Sequence, residues 1–399
     1  MAMKTKARAM TGLTLGGVLL ALGGCAHPQG AVPARGEMIA YVGTQADGPG
    51  QGIVALELDP RTGTLGAPVL AAEADHPTWV LVDAARHRLF TVSEVGKPGE
   101  VDGTLASYGY DPASGALSLL GRGGSGGAGP THLALSPDGG TLFVANYSSG
   151  IVASSAIGAG GAPGATPVIV LQHIGSGPSP RQKGPHAHGV TLDPSGRFLL
   201  AADLGTDKVY LYHFDDARHT LEPAAEPFVM LPPGSGPRHA VFAPDGRHVF
   251  VLTEMEGAIH SFAWDARKGR LREVSRVALD APDFAGRRSG SELAVSRDGR
   301  FLYAGNRGAN TLQVYAVDRN GALTPVQVID CGGRTPWGFS LAPDGRWLMV
   351  ANQGGNGEGA QGNVALFVVD PASGRLTDSG TRMPVYKPSS VAFIEEAVP

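Results

Sequence analysis

Six stretches of this chain follow one plan: an apolar-alternating strand, a tight polar turn and a second apolar-alternating strand. They read VLVDAARHRLFTVSE (80–94), LALSPDGGTLFVAN (133–146), GVTLDPSGRFLLAAD (189–203), AVFAPDGRHVFVLTE (240–254), LAVSRDGRFLYAGN (293–306) and FSLAPDGRWLMVAN (339–352). Asp-Gly or Ser-Gly between period-two strands is a strong hairpin signal, because glycine adopts the left-handed backbone of the turn without steric cost. A second turn recurs between the hairpins: DPRTGTL (59–65), DPASGAL (111–117), DDARHTL (215–221), DARKGRL (265–271), DRNGAL (318–323), DPASGRL (370–376) and a degenerate Gly-rich version at 157–165. The repeat is roughly fifty residues long, which suits a propeller blade better than a helical solenoid.

Seven second turns against six complete hairpins leave one hairpin split between the chain's ends. MIAYVGT (38–44) reads as its second strand and KPSSVAFIEE (387–396) as its first. Pairing them closes a ring and removes the exposed edges of an open array. The expected fold is therefore all-β: a seven-bladed β-propeller with four antiparallel strands per blade, one domain over 37–399, closed by its N- and C-terminal strands. Composition agrees. The 399 residues include 59 Gly and 30 Pro, as many tight turns require, and only 17% are charged against about 25% on average. A net charge of −4 offers no basic surface, so nucleic acid is not an expected partner.

The first residues have a different character. Lys4, Lys6 and Arg8 precede an apolar run from Leu13 to Leu22, followed by Leu22-Gly23-Gly24-Cys25. The run is too short to span a bilayer, which takes about 20 residues, and it reads as an export signal. The Leu-Gly-Gly-Cys end resembles a bacterial lipobox. That resemblance implies a signal peptide over 1–24, a lipid on Cys25 as the sole membrane attachment, and a flexible tether over 25–36. Ala26, rather than Asp, after the cysteine points to a periplasm-facing place on the outer membrane rather than the inner. Cys331 is then the one remaining cysteine, expected to be a buried small residue rather than a nucleophile.

In a propeller the first strand of each hairpin lines the channel, and the second returns to the face where the first began. The strand starts at that mouth carry Thr78-Trp79, Thr131-His132, His186-Ala187-His188, Arg238-His239, Ser291-Glu292 and Trp337. The strand ends carry Thr44, Glu94, Asn146, Asp203, Glu254, Asn306-Arg307 and Asn352. Such a density of His, Arg and Glu on a low-charge chain marks a candidate site. His132, His186, Asp203, His239 and Glu292 are expected among its substrate-binding groups. Arg238 and Glu254 are each eight residues from Gly246, so a regular hairpin sets them face to face, with Glu254 holding a guanidinium that presents its other donors to an oxyanion or carboxylate. Only one of His186 and His188 can face the channel, and with Asp203 at the end of the partner strand such an imidazole suits a general base. Two histidines with carboxylates are also a weak metal signal, but no rigid ligand motif accompanies them, and no metal or cofactor is expected.

The segments RQKGPHAHGVTLDPSGRFLLAAD, GSGPRHAVFAPDGR, VLTEMEG and SELAVSRDGRFLYAGNRGANTL resemble the seven-bladed propeller lactonase family, whose members include the propeller-type 6-phosphogluconolactonase and the fungal carboxy-cis,cis-muconate cyclase. Carried over by motif position, the cyclase's catalytic His, Arg, Glu and second Arg fall on His188, Arg238, Glu254 and Arg307. The family's Arg-Gln segment is present as Arg181-Gln182, adding Arg181 to the binding groups. Where family members often carry Pro-Arg, this chain has Pro336-Trp337, which weighs against a phosphorylated substrate and suits stacking on a sugar ring. The resemblance implies a monomeric lactonase with a small-molecule sugar or organic-acid lactone as partner, unphosphorylated given export. A cycloisomerase acting on an unsaturated dicarboxylate and a non-catalytic envelope scaffold are the alternatives.

Overall fold

The computed structural model describes residues 38–394 apart from 47, 49 and 355–360. The expected signal peptide, Cys25 and the tether lie outside the described residues. The alternating segments form seven sheets, each a blade of antiparallel strands paired in chain order. Six blades have four strands; in blade 1 the outer strand is broken into Thr64–Leu65 and Val69–Glu73. Gly66-Ala67-Pro68 interrupts it, because proline cannot donate to a ladder. The chain is a seven-bladed β-propeller.

The inner strands of blades 2 to 7 are Val80–Asp83, Pro130–Leu135, Ala187–Leu192, Pro237–Phe242, Gly290–Val295 and Pro336–Leu341, and Pro388–Phe393 is that of blade 1. The ring closes as the half-repeats require. Met38–Thr44 pairs antiparallel with Pro388–Phe393, matching Ala40 to Phe393, Tyr41 to Ala392 and Val42 to Val391. The Asp-Gly hairpin turns hold Gly139, Gly246, Gly299 and Gly345 at φ of +66°, +65°, +74° and +69°, where a side chain would be strained. The hairpin at 80–94 has no such glycine and turns instead through a 3₁₀ segment, Ala84–Arg86.

The core lies between blades. Val42, Leu56 and Leu58 of blade 1 pack against Met349, Val364 and Leu366 of blade 7, so the closing blade shares a continuous apolar layer with its neighbour. Blades 3 and 4 join likewise through Phe143, Val190, Leu199 and Tyr212.

One irregularity recurs. Near the start of the inner strand, the ladder with the second strand slips in six of the seven blades. In blade 5, Pro237 pairs with Thr253 and His239 with Leu252, leaving Arg238 in a bulge. His188 and Trp337 occupy the same position in blades 4 and 7. A bulge bends the strand and re-aims its side chain, and here it does so around one mouth of the channel.

Candidate active site

The mouth is a cavity of about 600 Å³ to which every blade contributes. Its walls come from two repeated positions. The bulged residue of the inner strand supplies Thr131, His188, Arg238 and Trp337. The residue just past the second strand supplies Gln45, Glu94, Tyr147, Glu254, Arg307 and Gln353. Blade 4 has Leu204 at that second position, and the loop before its inner strand brings in Arg181 instead. The loop before the inner strand of blade 6 adds Arg287 and Ser289.

Glu254 is the hub. Arg181 Nη1 reaches its Oε1 at 2.6 Å, and Arg238 Nη1 and Arg307 Nη2 reach its Oε2 at 2.8 and 2.7 Å. Arg238 and Glu254 are each only 3% exposed. Burial alone would raise the Glu254 carboxyl, but Arg307, Arg238 and Arg181 outweigh it and hold the group well below the ordinary carboxylate range. Three guanidiniums against one carboxylate leave the cluster with a surplus of two positive charges. Other donors fix the arginines: Arg238 Nε donates to Ser291 O at 2.8 Å and Arg307 Nη2 to Gly290 O at 3.0 Å. The Trp337 ring lies 4.5 Å from the Arg307 guanidinium carbon and 5.6 Å from that of Arg238, so the indole stacks with guanidiniums in the cavity wall.

His188 sits against this cluster in a defined tautomer. Arg238 Nη1 contacts His188 Nε2. A guanidinium only donates, so Nε2 accepts and the ring proton is on Nδ1, which is buried without a partner among the described residues. Burial, then the charge of Arg238, hold the imidazole well below its ordinary pKa. The ring is neutral, and its lone pair is already engaged. That is a poor arrangement for a general base, and here the geometry departs from the role expected of it.

The other expected binding residues divide. Arg181 and Trp337 line the mouth cavity with the catalytic candidates. His132, His239 and Glu292 do not; they lie one layer deeper, with Trp79, between the mouth and a second cavity of about 780 Å³. His132 packs against Trp79 with ring centroids 4.0 Å apart and planes tilted by 35°, and His239 Nδ1 lies 2.9 Å from Glu292 Oε1. Burial raises Glu292 to about 7 and holds His132 and His239 well below their ordinary values, so the two imidazoles are neutral at neutral pH and Glu292 titrates near it. The reason for their depth is that each follows a bulged or mouth-facing position by one residue.

His186 and Asp203 do not line the mouth cavity. His186 stacks on Tyr147 at 4.6 Å, and its Nδ1 lies 2.9 Å from Tyr147 O, a contact between blades outside the cavity. Asp203 is fully buried; its Oδ1 accepts from the backbone of His186, Gly205 and Thr206, and its Oδ2 lies 2.6 Å from His173 Nδ1. It is the last residue of its strand. Asn146, Asn306 and Asn352 occupy the equivalent buried place, using side-chain amides to tie down neighbouring loops.

Glu94, Tyr147, Arg287 and Gln353 were not among the expected site residues. Glu94 is one of the strand ends named in the sequence; Tyr147 and Gln353 stand one residue beyond the ends Asn146 and Asn352. Among the described residues no group of three or more His, Cys, Asp or Glu is placed to hold a metal ion. Cys331 is buried, and burial pushes its thiol up to about 12, which leaves it inert as a nucleophile at neutral pH.

A propeller whose mouth gathers three guanidiniums on a buried carboxylate suits an enzyme that handles carbonyl or carboxylate oxygens. The chain belongs to the lactonase family of seven-bladed β-propellers, whose model matches residues 39–393. It is 32% identical over 359 residues to the 6-phosphogluconolactonase of Bacillus subtilis, covering 90% of this chain and 99% of that one. It is 28% identical over 290 residues to a 6-phosphogluconolactonase of Serratia proteamaculans, covering 72% and 77%. Among solved structures it resembles the periplasmic gluconolactonase of Pseudomonas aeruginosa at 35% identity and a TM-score of 0.83, covering 91% of this chain and all (100%) of that one.

Proposed function

We propose that this chain hydrolyses the lactone of an unphosphorylated sugar acid or related organic acid at the Arg181–Arg238–Arg307 mouth. The observation that carries the reading is the convergence of three guanidiniums on Glu254 at 2.6–2.8 Å. Glu254 takes one nitrogen of each arginine and keeps their planes in place at a cavity where their uncommitted donors meet a carbonyl oxygen as it becomes an oxyanion. Preorganised donors of this kind stabilise the tetrahedral intermediate without reorganising during the reaction. Arg181, Arg238 and Arg307 are thus the oxyanion and substrate-anchoring groups, Glu254 positions them, and His188 holds Arg238 through its Nε2.

Two observations favour an unphosphorylated substrate. Trp337 puts an indole rather than a further guanidinium beside Arg307 and Arg238, and the structural neighbour from Pseudomonas aeruginosa is a periplasmic gluconolactonase. Export fits with this: the chain is read as a lipoprotein cut before Cys25, anchored by its lipid and facing the periplasm from the outer membrane. The test is proton release by the purified full-length chain on glucono-, galactono- and 6-phosphogluconolactones, corrected for spontaneous opening. Faster turnover of the unphosphorylated lactones supports the reading; preference for the phosphorylated one overturns the substrate assignment, and no turnover of any overturns the reaction.

A further inference from the structure

Lactone hydrolysis needs a group that takes a proton from water, and neither obvious candidate is free to do so. Glu254 is bonded to three guanidiniums and lies far below the range where a carboxylate is an effective base. The His188 lone pair on Nε2 is engaged by Arg238, and its Nδ1 carries the proton. Among the described residues one other carboxylate lines the same cavity: Glu94, the residue just past the second strand of blade 2.

We infer that Glu94 is the general base of this site, and that it returns the same proton to the leaving ring oxygen. The inference rests on the lactonase reading above. Glu94 makes no ion pair among the described residues; the Thr78 and Thr131 side chains lie within hydrogen-bonding reach of its carboxylate, which has further lone pairs to offer a water in the cavity. The groups facing it are Thr78 and His76 from its own blade, Thr131 from blade 3 and Arg238 from blade 5. Arg238 is bonded to Glu254, its charge is felt at Glu94, and both carboxylates line one cavity, so a carbonyl held by the arginines shares that cavity with Glu94. Burial raises the Glu94 carboxyl above the ordinary range despite the pull of those neighbours, which makes it a stronger base than an exposed glutamate.

The proton and electron count closes. Glu94 carboxylate takes one proton from water as the water oxygen forms a bond to the lactone carbonyl carbon. The carbonyl oxygen takes the negative charge among the arginine donors. Collapse of that intermediate re-forms the C=O bond and breaks the bond to the ring oxygen, which leaves as an alkoxide and receives the proton from Glu94. The product carboxylic acid then ionises, so each turnover releases one proton to solvent and restores the Glu94 carboxylate.

The test compares the full-length parent with Glu94→Gln and Glu94→Ala by proton release on the best lactone of the panel, with circular dichroism to verify folding. Glu94→Gln should lower kcat by roughly 10²–10⁴-fold and flatten the acidic limb of the pH–rate profile. KM should stay within about threefold, because a base contributes to the transition state rather than to ground-state binding. Formate should restore turnover of Glu94→Ala in proportion to its concentration by occupying the vacated carboxylate position. A folded Glu94→Gln with parental kcat and an unchanged acidic limb, or a Glu94→Ala that formate does not rescue, overturns the inference while leaving the lactonase reading intact. A parent that turns over no lactone overturns both.

Discussion

Arg238 reaches Glu254 at 2.8 Å from a bulge, not from a regular hairpin pair. Equal counting from Gly246 sets the two residues opposite each other, but in the structure Thr253 pairs with Pro237, and Glu254 lies beyond the end of its strand. The bulge turns Arg238 into the mouth, and Glu254, just past the end of its strand, meets it there. A buried ion pair formed this way depends on both partners, because each alone would be a desolvated charge.

Glu254→Gln should therefore cost stability as well as activity. Removing the carboxylate leaves the buried Arg238 guanidinium without its counter-charge, a loss on the order of 3–5 kcal/mol, readable in urea or thermal unfolding. Turnover should fall by roughly 10²–10³-fold as the oxyanion donors lose alignment. The lowered carboxyl also sets a sign. Its stabilising contribution is complete above the unfolded-state value and is lost only as pH falls through the lower folded one, so parent and variant should converge only in strong acid. Convergence already near neutrality would contradict the three-arginine hub.

Glu292 should act in the opposite sense. Burial raises it from 4.5 to about 7. The folded protein holds this proton more tightly than the unfolded chain, so stability present below about 4.5 is lost as pH rises towards 7. Glu292→Gln removes that titration. Its melting temperature relative to the parent should rise between pH 5 and pH 8, by the equivalent of about 3 kcal/mol at most. Parallel melting curves across that range would show that Glu292 does not titrate there.

Ring closure gives a mechanical prediction. A chain ending at residue 386 loses the inner strand Pro388–Phe393 and exposes the edge of Met38–Thr44 and the layer around Val42 and Leu56. It should melt well below the parent or aggregate, since an uncovered edge strand invites pairing between molecules. An unchanged melting temperature would mean that the closing strand is dispensable.

Cys25→Ser bears on the proposed anchor. A thioether-linked lipid requires the thiol, so the variant should leave the membrane fraction or accumulate uncleaved, seen by fractionation and by a mass shift. A variant that is processed and sediments with membranes like the parent would exclude lipidation at that residue.

Sequence alone determined the ring. Period-two alternation, Asp-Gly turns and a repeat split across the two ends are local signals, and strand pairing, blade number and closure follow from them by simple counting. Sequence motifs also named His188, Arg238, Glu254 and Arg307, because a mouth-facing place in a repeat can be located by position. Depth within the channel was not legible. A single bulge decides whether Arg238 faces the mouth while His239 falls into the layer below, and whether Asp203 ends a strand or Glu254 lies just past one. Nor does sequence reveal that Arg238 engages His188 Nε2 while Glu94 lines the same cavity without an ion pair among the described residues. These are contacts among side chains from different blades, and their energies come from burial and charge at distances that only the closed ring establishes.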